Sequence, residues 1–398
     1  MWKRILEQIL VKKIMLLAGG LLLVFAAGCN PGQTGPLGYG WTCACAITND
    51  DVDRSDRCLA QKMIALAYVA EGDVKTARAC AVQIEDYNKG LVLAAVAEWL
   101  ITHGERAQAE AILPEIEACR FTARDWQRDY LQTAITRVQA LLGKEKTVIS
   151  SAVKFNDHSG LGGDVAANLA LVLSRTGRVA EATGILDDLA KTNGVQTADS
   201  SVRGFLDLAV QGRLDRTSVT QMVVKAWEST DHIKPYRRWD LQLDVIEVMT
   251  KLGFGDEARV HLTELTSNVV AAVKLPPDAQ ASMLCRGSIL WNKLGEPGKS
   301  ETLRGVAEKA LERKLEDIFQ PGTYATIAGV YAETGDMTQA RICYARALDL
   351  AAGLENRRPR AQAGVAVCVS LAGHKGVIDA GIQKGLDRLR ETFDAAKP

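Results

Sequence analysis

Glycines that follow an apolar helical run recur along the chain at Gly72, Gly104, Gly143, Gly177, Gly212, Gly253, Gly295, Gly335 and Gly373. Roughly 38 residues separate one from the next on average, a period that belongs to helical-hairpin repeats. Alanine follows five residues after several of them, at Ala77, Ala109, Ala182, Ala258 and Ala340. A small side chain there lets two helix backbones approach closely. A hairpin of this length cannot bury its apolar faces alone, so each unit implies neighbours of the same kind. The hydrophobic content of 47% is ample for such burial, and the low aromatic content of 6% favours close-packed helices.

The clearest unit is Thr323 to Leu350. Ile327, Ala328 and Tyr331 share one helical face, and Ala340, Tyr344, Ala347 and Leu348 share another. Between them, Gly335 can close the first helix in a left-handed conformation and Asp336 can cap the second. Tyr324, Ile327, Ala328, Tyr331, Gly335, Ala340, Tyr344 and Ala347 resemble the tetratricopeptide repeat (TPR), although Ala352 stands where a proline is usual. Fainter copies run through Ile64, Ala65, Tyr68, Gly72 and Ala77, through Leu169, Ala170, Leu173, Gly177, Ala182 and Leu186, and through Val245, Met249, Gly253, Ala258 and Leu262. The resemblance implies an all-α fold, a right-handed α-solenoid of about nine helical hairpins over residues 58–398. The hairpins at Gly143, Gly212 and Gly295 are the least marked. The last run, Val377 to Phe393, reads as a closing helix whose polar residues face water.

Residues 1–28 read as an address. Lys3, Arg4, Lys12 and Lys13 precede an apolar run, Ile14 to Ala27, that is short for a membrane-spanning helix. It ends Phe25-Ala26-Ala27-Gly28-Cys29, which resembles the bacterial lipobox, where the cysteine thiolate takes the lipid and the preceding peptide is removed. An ordinary signal peptide or an uncleaved anchor is the plainer alternative. Asn30 follows the cysteine, and on this resemblance outer-membrane sorting, facing the periplasm, is preferred over the inner membrane. Residues 29–57, rich in glycine and proline, read as the lipidated cysteine and a flexible tether.

Cys43, Cys45 and Cys58 lie at the end of that tether. In an exported chain Cys58 is a disulfide candidate with Cys43 or Cys45, and Cys343 with Cys368 is a second. Free thiols are the alternative, and the spacing fits no zinc pattern. Loops are expected at residues 156–163, 191–194, 275–278 and 356–360, the last a solvated basic linker, and Pro114 is expected to kink or end its helix.

No constellation carries obvious chemistry. The Gly160-Leu161-Gly162-Gly163 stretch lacks the lysine and hydroxyl of a phosphate loop, the five histidines are scattered, and Asp187-Asp188 and the pair Glu115 and Glu117 read as solvated faces. Formal charge is balanced, with no electrostatic drive toward nucleic acid. No enzyme activity, cofactor or metal is expected. The TPR resemblance implies that the first helix of each hairpin lines a groove for a peptide or protein partner. Carried over position by position, it marks Leu66, Glu98, Arg137, Leu171 and Glu247, with Arg175, Lys251 and Glu333 a turn beyond. The expectation is a membrane-anchored lipoprotein acting as a non-catalytic scaffold or adaptor in the bacterial cell envelope. An envelope enzyme with a site set in the repeats, and a self-assembling structural lipoprotein, stand as alternatives.

Overall fold

The computed structural model describes residues 35–155, 162–192, 195–212, 214–311 and 316–394, and these contain 19 α-helices and no strand. The expected address at residues 1–28, with Cys29, and the loop at 156–161 lie outside the described residues. Eight helix pairs follow one another. They are α2 (Arg54–Ala70) with α3 (Val74–Val82), α4 (Asn88–Thr102) with α5 (Arg106–Ala118), and α6 (Asp125–Leu141) with α7 (Glu145–Phe155). Next come α8 (Gly162–Arg175) with α9 (Val179–Lys191), α10 (Val195–Gln211) with α11 (Arg216–Ser229), and α12 (Pro235–Lys251) with α13 (Gly255–Ala271). The last two are α14 (Pro277–Lys293) with α15 (Pro297–Leu311), and α16 (Gln320–Glu333) with α17 (Met337–Gly353). The chain ends in α18 (Arg357–Gly373) and α19 (Ala380–Asp394), and the described part begins in α1 (Gly35–Ala46).

The turns form for the expected local reason at most positions. Gly72, Gly104, Gly143, Gly177, Gly253, Gly295 and Gly335 all have φ between 72° and 89°, where a Cβ is strained. Asp336 caps α17 by accepting from the Gln339 amide at 3.1 Å, and Asp73 and Asp215 cap α3 and α11 in the same way. Gly212 and Gly373 are not left-handed. Gly212 instead offers its carbonyl to Ser174 Oγ at 3.1 Å, and Gly373 is the last residue of α18.

Each first helix packs on its own partner, on the next first helix, and on the preceding second helix. Arginines near the start of second helices join one pair to the next. Arg106, Arg216 and Arg259 donate to the carbonyls of Leu142, Leu252 and Leu294 at 2.6, 2.6 and 2.8 Å, and Arg341 to Val377 at 3.1 Å. A guanidinium there satisfies a carbonyl that the ending helix leaves unpaired and meets the negative end of its dipole.

The two ends of the described chain meet. α18 touches α2, and α1 packs along both. Contacts fix the directions: Arg358 reaches Asp53 at 2.7 Å, while Lys375 reaches Glu71 at 2.9 Å, so α18 and α2 are parallel. α1 is antiparallel to α2, since Cys45 pairs with Gln61 and the Ile47 carbonyl with Arg57. α1 therefore takes the position that a second helix holds between two first helices, supplied from the opposite end of the chain. The first helices α2, α4, α6, α8, α10, α12, α14, α16 and α18 then form an unbroken circuit of neighbours. α19, expected as a hairpin partner of α18, packs chiefly on α17 and α1. Its Ile382, Leu386, Leu389 and Phe393 are buried, and Asp387 accepts from Tyr39 of α1.

This corrects the reading of residues 35–57 as tether. Leu37, Trp41, Cys43 and Ala44 are 3%, 4%, 1% and 0% exposed. The glycines that seemed to forbid a helix serve close approach instead. A Cβ on Gly40 would lie 2.4 Å from Ile64 Cδ1 and 2.9 Å from Cys368 Cβ. One further expectation fails, and one is narrowed. Residues 357–360 open α18 rather than forming a solvated linker, with Arg360 donating to the Leu354 and Glu355 carbonyls. Pro114 does not end its helix early: it sits inside α5, which continues to Ala118. None of the candidate disulfides is formed among the described cysteines.

Candidate functional site

The sides of the first helices turned away from the second helices make one continuous surface, and it has two halves. The polar half starts at Glu98 on α4. Arg137 on α6 approaches Glu98 at 3.6 Å and holds Asp207 on α10 through both guanidinium nitrogens, Nη2 to Oδ1 at 2.7 Å. α6 and α10 are not neighbours; α8 lies between them. Their side chains meet only because this face curves inward. Leu171, at the equivalent place on α8, is fully buried. The resemblance marked it as a contact residue for a partner, and it offers no exposed surface. Burial works against charge at Arg137, but Asp207 and Glu98 more than offset it and raise its pKa. Burial raises the Glu98 carboxyl, with Arg137 opposing.

From α10 the ladder continues across two more first helices, α12 and α14. Arg237 bonds Asp199 at 2.6 Å and Asp240 at 2.8 Å, and Arg286 bonds Asp240 at 2.8 Å and Asp244 at 2.6 Å. Glu247 lies 3.9 Å from Arg286 and 2.8 Å from Lys251. Its carboxyl is lowered overall: burial opposes this, and Lys251 and Arg286 outweigh it. Arg137, Arg237 and Arg286 each bridge two carboxylates, so most of the charge is paired locally and a small acidic excess is left. The sequence marked Glu98, Arg137, Glu247 and Lys251 but missed Asp199, Asp207, Asp240, Asp244 and Arg286. The available signal was Arg237, Asp240 and Asp244, three and four residues apart on α12, and Asp199 and Asp207, two turns apart on α10.

The other half is largely apolar. On α2, Leu59 and Met63 are 43% and 39% exposed, and Leu66 is half-buried. On α18, Ala366 and Val369 are half-buried on the side opposite the residues that meet α1, and Gln362 is exposed one turn before them. On α16, Gly329 is buried beneath this half, and a Cβ there would press to 3.0 Å of the His374 ring. Glu333 is exposed at the end of this half, with His374 Nε2 3.5 Å away. Arg175 is half-buried at the end of α8.

A second concavity, about 250 Å³, lies between α11, α12 and α13, lined by Trp227, Trp239, Arg238, Gln242, Glu264 and Asn268. Its polar groups already hold the turn at residues 230–232. Arg238 donates to the Ile233 and Asp231 carbonyls, and Gln242 to Thr230 Oγ1 at 3.2 Å. His261 lies over Trp227, with centroids 3.8 Å apart. Asp187, expected to be solvated, pairs with Lys225 at 2.6 Å, and Glu115 pairs with Arg78. Among the described residues there is no metal-ligating cluster, and no helix is long and apolar enough to cross a membrane.

No protein-family model matches the chain, and no curated protein matches it. Among solved structures, the crystal structure of Ton1535 from Thermococcus onnurineus NA1 aligns over 83% of this chain and 97% of that one, at 16% identity and a TM-score of 0.25. A likeness that distant carries no argument about fold or function.

Proposed function

We propose that this chain is a lipoprotein of TPR-like helical hairpins, an α-solenoid in its repeat that closes on itself through α1. In this reading it is a non-catalytic scaffold or adaptor that holds a protein or peptide partner in a bacterial cell envelope. The observation that carries this reading is the divided surface of the first helices: exposed apolar side chains at Leu59 and Met63 beside a ladder of paired charges with a small acidic excess. Apolar side chains left in water on a curved face are what a partner can cover, and paired charges give register without drawing in polyanions. Lipidation at Cys29 supplies the membrane attachment. Six residue steps lead from Cys29 to Gly35, a reach of at most about 20 Å. α1 runs antiparallel to the first helices, so its start lies at the edge of the glycine turns. That edge is then the one held toward the membrane, with the outer membrane preferred.

The test is site-specific photo-crosslinking in intact envelopes, with the probe at Leu59, Met63 or Glu247 and a control probe at Val260, which is 68% exposed on α13. Discrete adducts from the first three positions and none from the fourth support the scaffold reading. Equal adducts from all four positions contradict it. Metabolic labelling with palmitate, lost in Cys29→Ala, checks the anchor, and unchanged labelling would remove lipidation at this residue from the account.

A further inference from the structure

Where α1 crosses α18, two glycines and two cysteines interlock. Gly40 and Cys43 lie about one turn apart on α1, and Gly364 and Cys368 about one turn apart on α18. A Cβ on Gly364 would stand 2.8 Å from Cys43 Sγ, and one on Gly40 would stand 2.9 Å from Cys368 Cβ. Each cysteine therefore sits over the glycine of the opposite helix, and the missing side chains bring the two backbones together. The two thiols lie together at this crossing, and the neighbouring Cys43 thiol followed by burial raises the Cys368 thiol well above its ordinary range. Cys43 and Cys368 are 1% and 0% exposed. The pairs favoured by sequence spacing are not made: Cys45 faces Gln61, and Cys58 lies against Glu85 and Asp86.

We propose that Cys43 and Cys368 are a redox lock on the chain closure: oxidised by a small-molecule disulfide such as glutathione disulfide, they join α1 covalently to α18. In the exchange, one cysteine thiolate attacks the oxidant's sulfur–sulfur bond and releases one glutathione thiolate. The second cysteine thiolate then attacks the mixed disulfide and releases the other. One protein disulfide forms, one oxidant disulfide is reduced to two thiols, and the protons from the two cysteines end on those thiols. Both sulfurs are shielded in the closed form, so exchange runs through transient lifting of α1, and the lock slows reopening once set. The junction that is locked is the place where the circuit depends on contacts between opposite ends of the sequence.

The experiment uses the full purified chain equilibrated in reduced and oxidised glutathione mixtures of graded ratio, quenched by alkylation, and mapped by mass spectrometry after proteolysis. The expected result is a Cys43–Cys368 linked peptide as the dominant cross-link at the oxidising end. Faster migration on a non-reducing gel and a higher melting temperature than the reduced chain should accompany it. Both changes should vanish in Cys43→Ala and in Cys368→Ala. Alkylation of both residues as free thiols at the oxidising end would overturn the proposal, as would a dominant link through Cys45, Cys58 or Cys343. The wild-type peptide map decides between these outcomes even where a variant fails to fold.

Discussion

The polar half of the first-helix surface and the junction of α1 with α2 and α18 hold neighbouring helices together by different means. Across α4 to α14, charged side chains reach from helix to helix and pair in partial contact with water. At the junction, the join is made by shape. Glycines face side chains at distances no Cβ could keep, Trp41 and Leu37 are buried, and ion pairs appear at its margins, where Arg358 meets Asp53 and Lys375 meets Glu71. Ion pairs tolerate small changes of spacing and lose little when one is removed. Shape tolerates almost none. A circuit of paired helices closes only if the last gap is filled, and here the chain fills it with a helix whose own sequence is poor at being one.

Substitutions can break that contrast in order of expected effect. Trp41→Ala should cost about 3–5 kcal/mol in urea unfolding, the usual range for emptying a buried indole site. A loss under about 1 kcal/mol would mean that α1 contributes little to the folded body. Gly364→Val should cost about 1–3 kcal/mol, because the new side chain must displace Cys43 and Leu389. In the polar half, Arg137→Ala leaves Glu98 and Asp207 half-buried without their partner, and about 1–2 kcal/mol is expected after allowance for the water that reaches them. A double-mutant cycle with Asp207→Ala should return a measurable coupling; additivity would contradict the bridge over α8. Lys251→Ala, at an exposed pair, should change stability by less than about 0.5 kcal/mol.

The smallest effect is a slope. Glu98 keeps its proton to higher pH in the folded chain, because burial raises it more than Arg137 lowers it. Its contribution is therefore present below the ordinary glutamate pKa of about 4.3 and is lost as pH rises through the raised value. Glu98→Gln should flatten the dependence of stability on pH across that window. An unchanged slope would mean that this carboxyl titrates like one in open water.

Much of the helical pattern was legible because it is local. A left-handed glycine, a capping aspartate and a small residue five positions on are each set within one turn of their cause, and Gly335, Asp336 and Ala340 behave as read. The junction was not legible because its cause lies at the other end of the chain. Gly38 and Gly40 in isolation cost a helix about 1 kcal/mol each relative to alanine, so a tether was the reasonable local reading. Only Ile64 and Cys368 reveal why Gly40 is there. The polar face was half legible. Glu98 and Arg137 were found from their repeat position, but the same rule does not show that Leu171 is fully buried, because it carries no information on how tightly that face curves. Curvature is a sum over packed pairs, and no single repeat records it.

Backbone hydrogen exchange over residues 35–46 tests the closure most directly. Amides of a helix built into the circuit should exchange only with unfolding of the body, as slowly as those of α2 and α18. Exchange at the rate of a free peptide, while α2 and α18 stay protected, would show that α1 is a tether after all and that the circuit is open.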